Sequence, residues 1–247
     1  MQRRTAAVTT VSLFLLLLLG LYQLASSRQY QLFGELIARV EIEQPLIALT
    51  FDDGPSERYT AEVVELLARY QVPATFFVTG HELARHPEQG RLLVQAGHQL
   101  GNHSYTHKRM LLVSSATVAS ELERTDQQIR QAGFTDEILF RPPYGKKLFS
   151  LPRYLNQQQR KTIMWDLEPE SEPKLVADPQ VMAAAVIAKA RPGSIILLHV
   201  MYQSRQSSRE ALPLIIEGLL AKGYRFVSVN ELITMQASNN QLPANKK

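Results

Sequence analysis

The sequence predicts a parallel α/β fold, most simply a (β/α) barrel, preceded by an N-terminal membrane helix. Strand and helix patterns alternate about seven times between residues 46 and 229, which suits a parallel sheet with helices outside it. The side chains best equipped for chemistry, Asp52, Asp53, His103, His107, Arg141, Trp165 and His199, stand at or just past the ends of strand patterns. In a parallel barrel that end carries the loops and the site. The third observation is the leader: Arg3 and Arg4 are followed by about twenty mostly apolar residues, 6–25, containing the unbroken run 13–19. An open doubly wound sheet is the alternative for the body.

The leader is longer than a signal-peptide core, and its best cleavage position, after Ala25-Ser26-Ser27, places serine last. Residues 1–27 therefore read as an uncleaved signal-anchor rather than a removed signal peptide. Arg3 and Arg4 hold the N-terminus in the cytoplasm and send residue 28 onward to the periplasm or cell surface. Residues 28–45 form a juxtamembrane segment, 46–235 a single domain, and 236–247 a polar, aperiodic tail. The net charge of +4 resides in Arg3, Arg4, Lys246 and Lys247; the remainder carries 23 charges of each sign. A neutral body lacks the basic stripe that a phosphate backbone requires, so nucleic acid is excluded as a partner. With no cysteine, thiol catalysis and thiolate metal ligands are excluded too.

Taken in order, the apolar run 46–49 is a strand that delivers Asp52 and Asp53 into a Gly54-Pro55 turn. Val63, Leu66, Leu67 and Tyr70 give the helix 59–70 one apolar face. A strand at 74–78 is followed by a helix through Leu92 and Leu93 that ends near Gly97, and then by a short strand at 98–101. Val118, Leu122, Thr125 and Ile129 space a longer helix ending at Gly133, and 138–140 and 161–165 are the next strands. Asp178 and Pro179 start a helix that runs to Ala190 as N-cap and first helical residue. The most continuous apolar strand, 194–198, ends at His199; a helix over 209–222 and a strand at 225–229 complete the pattern.

Alone, Asp-Asp-Gly-Pro is a solvated turn. Beside His103 and His107 it gains a second reading, because histidines four apart converge on one ion and a carboxylate from Asp53 completes the set. Two histidines and one carboxylate suit one divalent ion, zinc first. Asp52 is then free as a general base toward water acidified by the metal, Arg141 is placed to keep it ionised, and His199 is placed to protonate a leaving amine. His81, His86 and His98 lack such partners and read as surface or packing residues. Tyr105, Tyr144, Phe149, Tyr154, Trp165 and Tyr202 are aromatics able to stack on sugar rings, a role that packing would explain equally.

At these residues the sequence resembles the polysaccharide deacetylases of carbohydrate esterase family four, over about 46–232. Thr50-Phe51-Asp52-Asp53-Gly54 is similar to the family's base-and-ligand motif, and the segment from His98 to His107 to the motif carrying both metal histidines. Arg141-Pro142-Pro143-Tyr144-Gly145 is similar to the motif whose arginine orients the base and whose tyrosine N–H helps hold the oxyanion. Leu197-Leu198-His199 is similar to the motif of the acid histidine. The resemblance implies a distorted seven-stranded barrel and a metal-dependent hydrolase that removes N-acetyl groups from an amino-sugar glycan, with Trp165 in the groove wall. Peptidoglycan, chitin oligomers and an acetylglucosamine polymer all fit. The sequence departs from the family after Trp165, where an Asp-Trp pair is replaced by Asp166, Glu168 or Glu170 as the support of the acid histidine, and at Val200, where aspartate is common. An O-acetyl glycan esterase and a catalytically silent glycan-binding protein are the rival readings.

Overall fold

The structure is a computed structural model that describes residues 2–241. The side chains of Arg3 and Arg4, on which the orientation reading rests, and residues 242–247 of the expected tail lie outside what is described. In chain order the elements are α1 (Gln2–Ser26), β1 (Leu36–Ile37), β2 (Leu46–Asp52), α2 (Thr60–Tyr70), β3 (Thr75–Val78), α3 (Gly80–Arg85), α4 (Pro87–Gln95), β4 (Gln99–Asn102) and α5 (Ser115–Gln131). They continue with α6 (Ser150–Gln157), β5 (Thr162–Ile163), α7 (Pro173–Val176), α8 (Pro179–Lys189), β6 (Ile195–His199), α9 (Gln206–Ala221), β7 (Arg225–Val227) and α10 (Val229–Gln241).

All ladders are parallel, as the alternation of strands and helices predicts. β2 is the centre, with all seven of its residues buried, and it pairs with β3, β6 and β7. A strand covered on both faces reads as a continuous apolar run rather than an alternation, which is why 46–49 stood out. Helices close over it with their apolar faces: α2 buries Val63, Val64 and Leu67, and α9 buries Ala211, Leu212, Ile215, Ile216 and Leu219. Each of these valine, leucine and isoleucine side chains contributes roughly 1.5–3 kcal/mol by leaving water. The Asp178 cap forms as expected, its carboxylate accepting from Gln180 N–H at 2.8 Å and Val181 N–H at 3.2 Å. At Gly193 (φ +78°) a Cβ would meet the Val40 carbonyl oxygen at 1.7 Å, so only glycine lets the segment before β2 cross the start of β6.

The ladders fall into a five-stranded sheet and a two-stranded one, β1 with β5. The expected strand at 138–140 is not one: Phe140 makes single bridges to Asn102 and Thr162. Pro142 and Pro143, which have no N–H to donate, stop the ladder there. Further round, Leu167 bridges Ile196 of β6. Connections between the two sheets are thus isolated bridges, not a continuous ladder. β5 is shorter than 161–165 and leaves Trp165 two residues beyond its end. β1, inside the segment read as a connector, is two residues long and carries no periodic signal. The helix before Gly97 is two helices broken at His86-Pro87, since proline disfavours a helical residue before it. α6 was not anticipated, and the segment from Gln236, read as aperiodic, continues α10 to Gln241.

α1 has 25 residues, and its Thr9–Ser26 stretch has a mean hydropathy of 1.7 with 6% of it buried. By length and composition it is able to cross a bilayer.

Candidate active site

Register brings the site together. Asp52, the last residue of β2, lies beside His199, the last residue of β6. Asn102, the last residue of β4, bridges Phe140, so the following residues His103 and Arg141 are also neighbours. Past these ends the backbone turns sharply: Asp53 (φ 68°), Ser104 (φ 66°), His107 (φ 54°) and Tyr144 (φ 57°) occupy the left-handed region. Each costs about 1–3 kcal/mol for a side-chain-bearing residue, and such strain concentrates where a side chain must be aimed. The result is a cavity of about 460 Å³ lined by Asp52, Asp53, His103, His107, Tyr144, Trp165 and His199, with Ser26, Arg28, Lys146, Glu168 and Arg205 among its other walls.

Arg141 is fully buried, and its Nη1 donates to Asp52 Oδ1 at 2.6 Å and to Thr50 Oγ1 at 2.8 Å, while Nη2 donates to the Met164 carbonyl at 3.1 Å. Burial opposes the charge on Asp52, but Arg141, then His103 and His199, outweigh it and hold the carboxyl below its ordinary range. Burial draws the guanidinium pKa down while Asp52 draws it up. Removing either partner would strand the other charge without water, a loss of roughly 3–5 kcal/mol. Asp52 Oδ2 remains turned to the cavity, 3.6 Å from His103 Nε2.

His103 Nδ1 lies 2.8 Å from the Arg141 carbonyl oxygen, to which only a protonated Nδ1 can donate, so Nε2 is the nitrogen turned to the cavity and available to a metal ion. Asp53 Oδ1 is 3.7 Å from that Nε2 and 3.2 Å from His107 Nε2. Burial, then His103, keeps the His107 pKa below its ordinary value. One ligand atom from each of Asp53, His103 and His107 lies within 4.8 Å of the others. Asp53 Oδ1 is buried with no hydrogen-bond donor among the described residues. A buried carboxylate oxygen with no donor and two imidazole Nε2 atoms turned to it is satisfied when a cation sits among them. The residues present therefore fit a divalent metal ion.

On the opposite wall His199 Nδ1 bonds Glu170 Oε2, its backbone N–H donates to Glu170 Oε1 at 3.0 Å, and Ser208 Oγ donates to the same oxygen. Burial works against the imidazolium, but the Glu170 bond and the Asp52, Glu170 and Asp53 charges push the His199 pKa up to about 9. Of the three carboxylates open at this position, Glu170 is the one that meets His199. Glu168 instead pairs with Arg28 and accepts from Trp165 Nε1 at 2.9 Å, and Asp166 accepts from Ser194 Oγ and Ile195 N–H, both at 2.9 Å. Tyr144 stands against His107, ring centroids 4.7 Å apart, lines the cavity and is 55% exposed.

Sequence reasoning missed Glu121. This buried carboxylate accepts from Tyr105 N–H at 3.0 Å, Thr106 N–H at 2.7 Å and Thr106 Oγ1 at 2.8 Å, pinning the loop between the two histidines. Its only signal was a charge on the apolar face of α5, between Val118 and Thr125. Arg28 and Ser26 were missed because they belong to the leader and its connector.

The polysaccharide deacetylase family model matches residues 39–163, which contain Asp52, Asp53, His103, His107, Arg141 and Tyr144 and stop short of Glu170 and His199. A peptidoglycan N-acetylglucosamine deacetylase of Bacillus cereus is 32% identical over 205 residues, covering 81% of this chain and 93% of that one. Several further curated relatives are longer, and this chain spans 32%, 40% and 38% of three of them. Among solved structures, a peptidoglycan N-acetylglucosamine deacetylase in complex with a hydroxamate-type benzamide superposes with a TM-score of 0.74 at 29% identity, over 80% of this chain and 92% of that one. A family 4 acetyl xylan esterase of Clostridium thermocellum, in complex with a cobalt ion, superposes with a TM-score of 0.69 at 34% identity, over 77% and 91%. The likeness thus extends past the family model to the wall that holds His199, and the chain belongs to the polysaccharide deacetylase family, hydrolases of carbon–nitrogen bonds other than peptide bonds.

Proposed function

We propose that the protein removes N-acetyl groups from an amino-sugar glycan of the cell envelope, with Asp53, His103 and His107 as ligands of one divalent ion. The observation that carries this reading is Asp53 Oδ1, buried without a donor and facing both imidazoles. Zinc suits two nitrogens and one oxygen. Once held there, the ion supplies Lewis acidity toward the attacking water and the acetyl carbonyl. Asp52 Oδ2 takes the proton of the attacking water, and Arg141 keeps that carboxylate ionised and aimed. His199, held by Glu170 with Nε2 toward Asp53, gives its proton to the departing amine. An amide requires that proton because an unprotonated amine leaves poorly. The Tyr144 N–H, at a positive-φ turn on the cavity wall, serves the oxyanion, and the Trp165 ring forms the groove wall.

In this reading the two sheets and their bridges form one distorted seven-stranded barrel, β1 of the connector included, and α1 is a retained anchor with the body outside the cytoplasm. Contacts of the leader support retention: Ala25 is 3% exposed and its carbonyl accepts from Lys147 N–H at 3.1 Å, while Ser26 lines the cavity. Cleavage after Ser27 would remove these groups.

Acetate release from chitin oligomers and peptidoglycan fragments, before and after chelation and zinc return, tests the proposal. Activity lost with the metal and regained with it is expected; full activity after complete chelation refutes it. The likeness to the Clostridium esterase keeps the O-acetyl reading as second, and acetylated xylan in the same assay separates the two.

A further inference from the structure

Resting on the deacetylase reading of this cavity and on α1 as a retained anchor, we propose that the site opens at the bilayer surface and takes a lipid-linked acetylated saccharide as substrate. The anchor is not joined to the body by slack chain. Lys147 N–H donates to the Ala25 carbonyl at 3.1 Å, Lys147 Nζ donates to the Ser27 carbonyl, and Lys146 Nζ reaches Ser26 Oγ and lies 4.6 Å from the Tyr22 ring centroid. Arg28 pairs with Glu168 and sits 4.8 Å over the Trp165 ring. Eight residues later the chain enters β1 and is fixed to β5. Ser26 and Arg28 are walls of the same cavity as Asp52, Asp53 and His107.

The stretch able to cross the bilayer, Thr9–Ser26, ends on a residue that lines the cavity. At about 1.5 Å per residue its 18 residues span roughly 27 Å, close to the ~30 Å hydrocarbon core, so the cavity wall begins where the helix leaves the bilayer. A 20-residue flexible tether would instead allow about 25 Å of separation.

Tyr30 (68% exposed), Leu32 and Phe33 follow α1 directly. Leu112, 91% exposed, and Phe149 each lie two residues past the parallel Met110–Lys147 bridge, next to the lysine that holds Ala25. Exposed aromatic and aliphatic side chains ringing a membrane helix where it leaves the bilayer are placed to enter the interface. The cavity also carries the cations Lys146 and Arg205 in its wall, suited to the phosphate that joins a sugar to a lipid carrier. A polymer lying away from the membrane would have to bend down to this mouth, whereas a saccharide on a lipid is already beside it.

The test uses the full chain, zinc-loaded, in phospholipid vesicles. Acetate release is compared for a polyprenyl-diphosphate-linked N-acetylglucosamine disaccharide in the same vesicles and for that disaccharide freed from its lipid. At least a tenfold higher kcat/KM on the lipid-linked form is expected. A Tyr30→Ser, Leu32→Ser, Phe33→Ser variant should lose much of that preference while keeping its rate on the free disaccharide. Acetate released equally well from both forms overturns the lipid-linked substrate and leaves the deacetylase reading standing. No acetate from either form or from chitin oligomers overturns both.

Discussion

Replacing Glu170 with glutamine removes the charge facing His199 while preserving side-chain volume. In the native protein burial disfavours the imidazolium, yet Glu170, together with Asp52 and Asp53, holds its pKa at about 9 against an ordinary 6.5. That difference is roughly a 300-fold change in the protonation equilibrium, on the order of 3 kcal/mol. A general acid must carry its proton, so a raised pKa extends activity upward in pH. With glutamine in place, burial acts without its main opponent. Taking the variant at only the ordinary 6.5, the protonated fraction at pH 8 falls from about 90% to about 3%, roughly a 30-fold loss, whereas at pH 6 the loss is under about twofold. The assay is the pH profile of acetate release from chitin oligomers for both proteins, with metal content measured alongside. Any ion at Asp53 acts on His199 in both, so the displacement of the alkaline limb between them is the quantity read. An alkaline limb that stays in place, with a loss uniform across pH, refutes the assignment of Glu170 as the support of His199.

Asp52→Asn should keep metal and lose about 10²- to 10⁴-fold in turnover, while Asp53→Asn should lose metal affinity; indistinguishable variants would dissolve the division of roles. Glu121→Gln should lower metal affinity roughly 10- to 100-fold by loosening the loop between His103 and His107, and unchanged affinity by titration would make Glu121 a mere cap. His98 is 5% exposed with neither ring nitrogen bonded, and burial draws its pKa down to about 4. It is neutral when folded but charges in the unfolded chain below about 6.5, so its contribution to stability is complete above that pH and is lost as pH falls toward 4, on the order of 3 kcal/mol in total. His98→Phe should therefore gain on the native protein as urea unfolding is moved from about pH 7.5 to about pH 4.5; a gap that does not change with pH counts against it. For topology, protease added to spheroplasts should digest the body, and a body protected in the cytosol would reverse the orientation.

Much of the fold was legible because local rules wrote it. Helices ended at Gly97, Gly133 and Gly223, where a left-handed residue closes a helix without a Cβ penalty, and Asp178-Pro179 opened one by capping. The doubly buried strands β2 and β6 showed as apolar runs. The weaker elements escaped for a physical reason: β1, β5 and the Phe140 bridge are held by partners far along the chain, and one or two residues carry no periodicity.

By itself the sequence determined the parallel α/β class, the apolar leader and the chemistry at the strand ends: the Asp52-Asp53 pair in its turn, the histidines four apart, Arg141 before its prolines and His199 at the end of a buried strand. These are matters of composition, spacing and backbone preference, which act within a few residues. Only the tertiary structure decided which of three neighbouring carboxylates faces His199, 29 residues on from Glu170, and that Arg28 crosses 140 residues to reach Glu168. Asp166, Glu168 and Glu170 are alike as charges in a sequence. The register of β6 against β2 and the docking of the leader on Lys147 give each a different partner, because a buried charge is stable only where packing brings it a counter-ion or a donor.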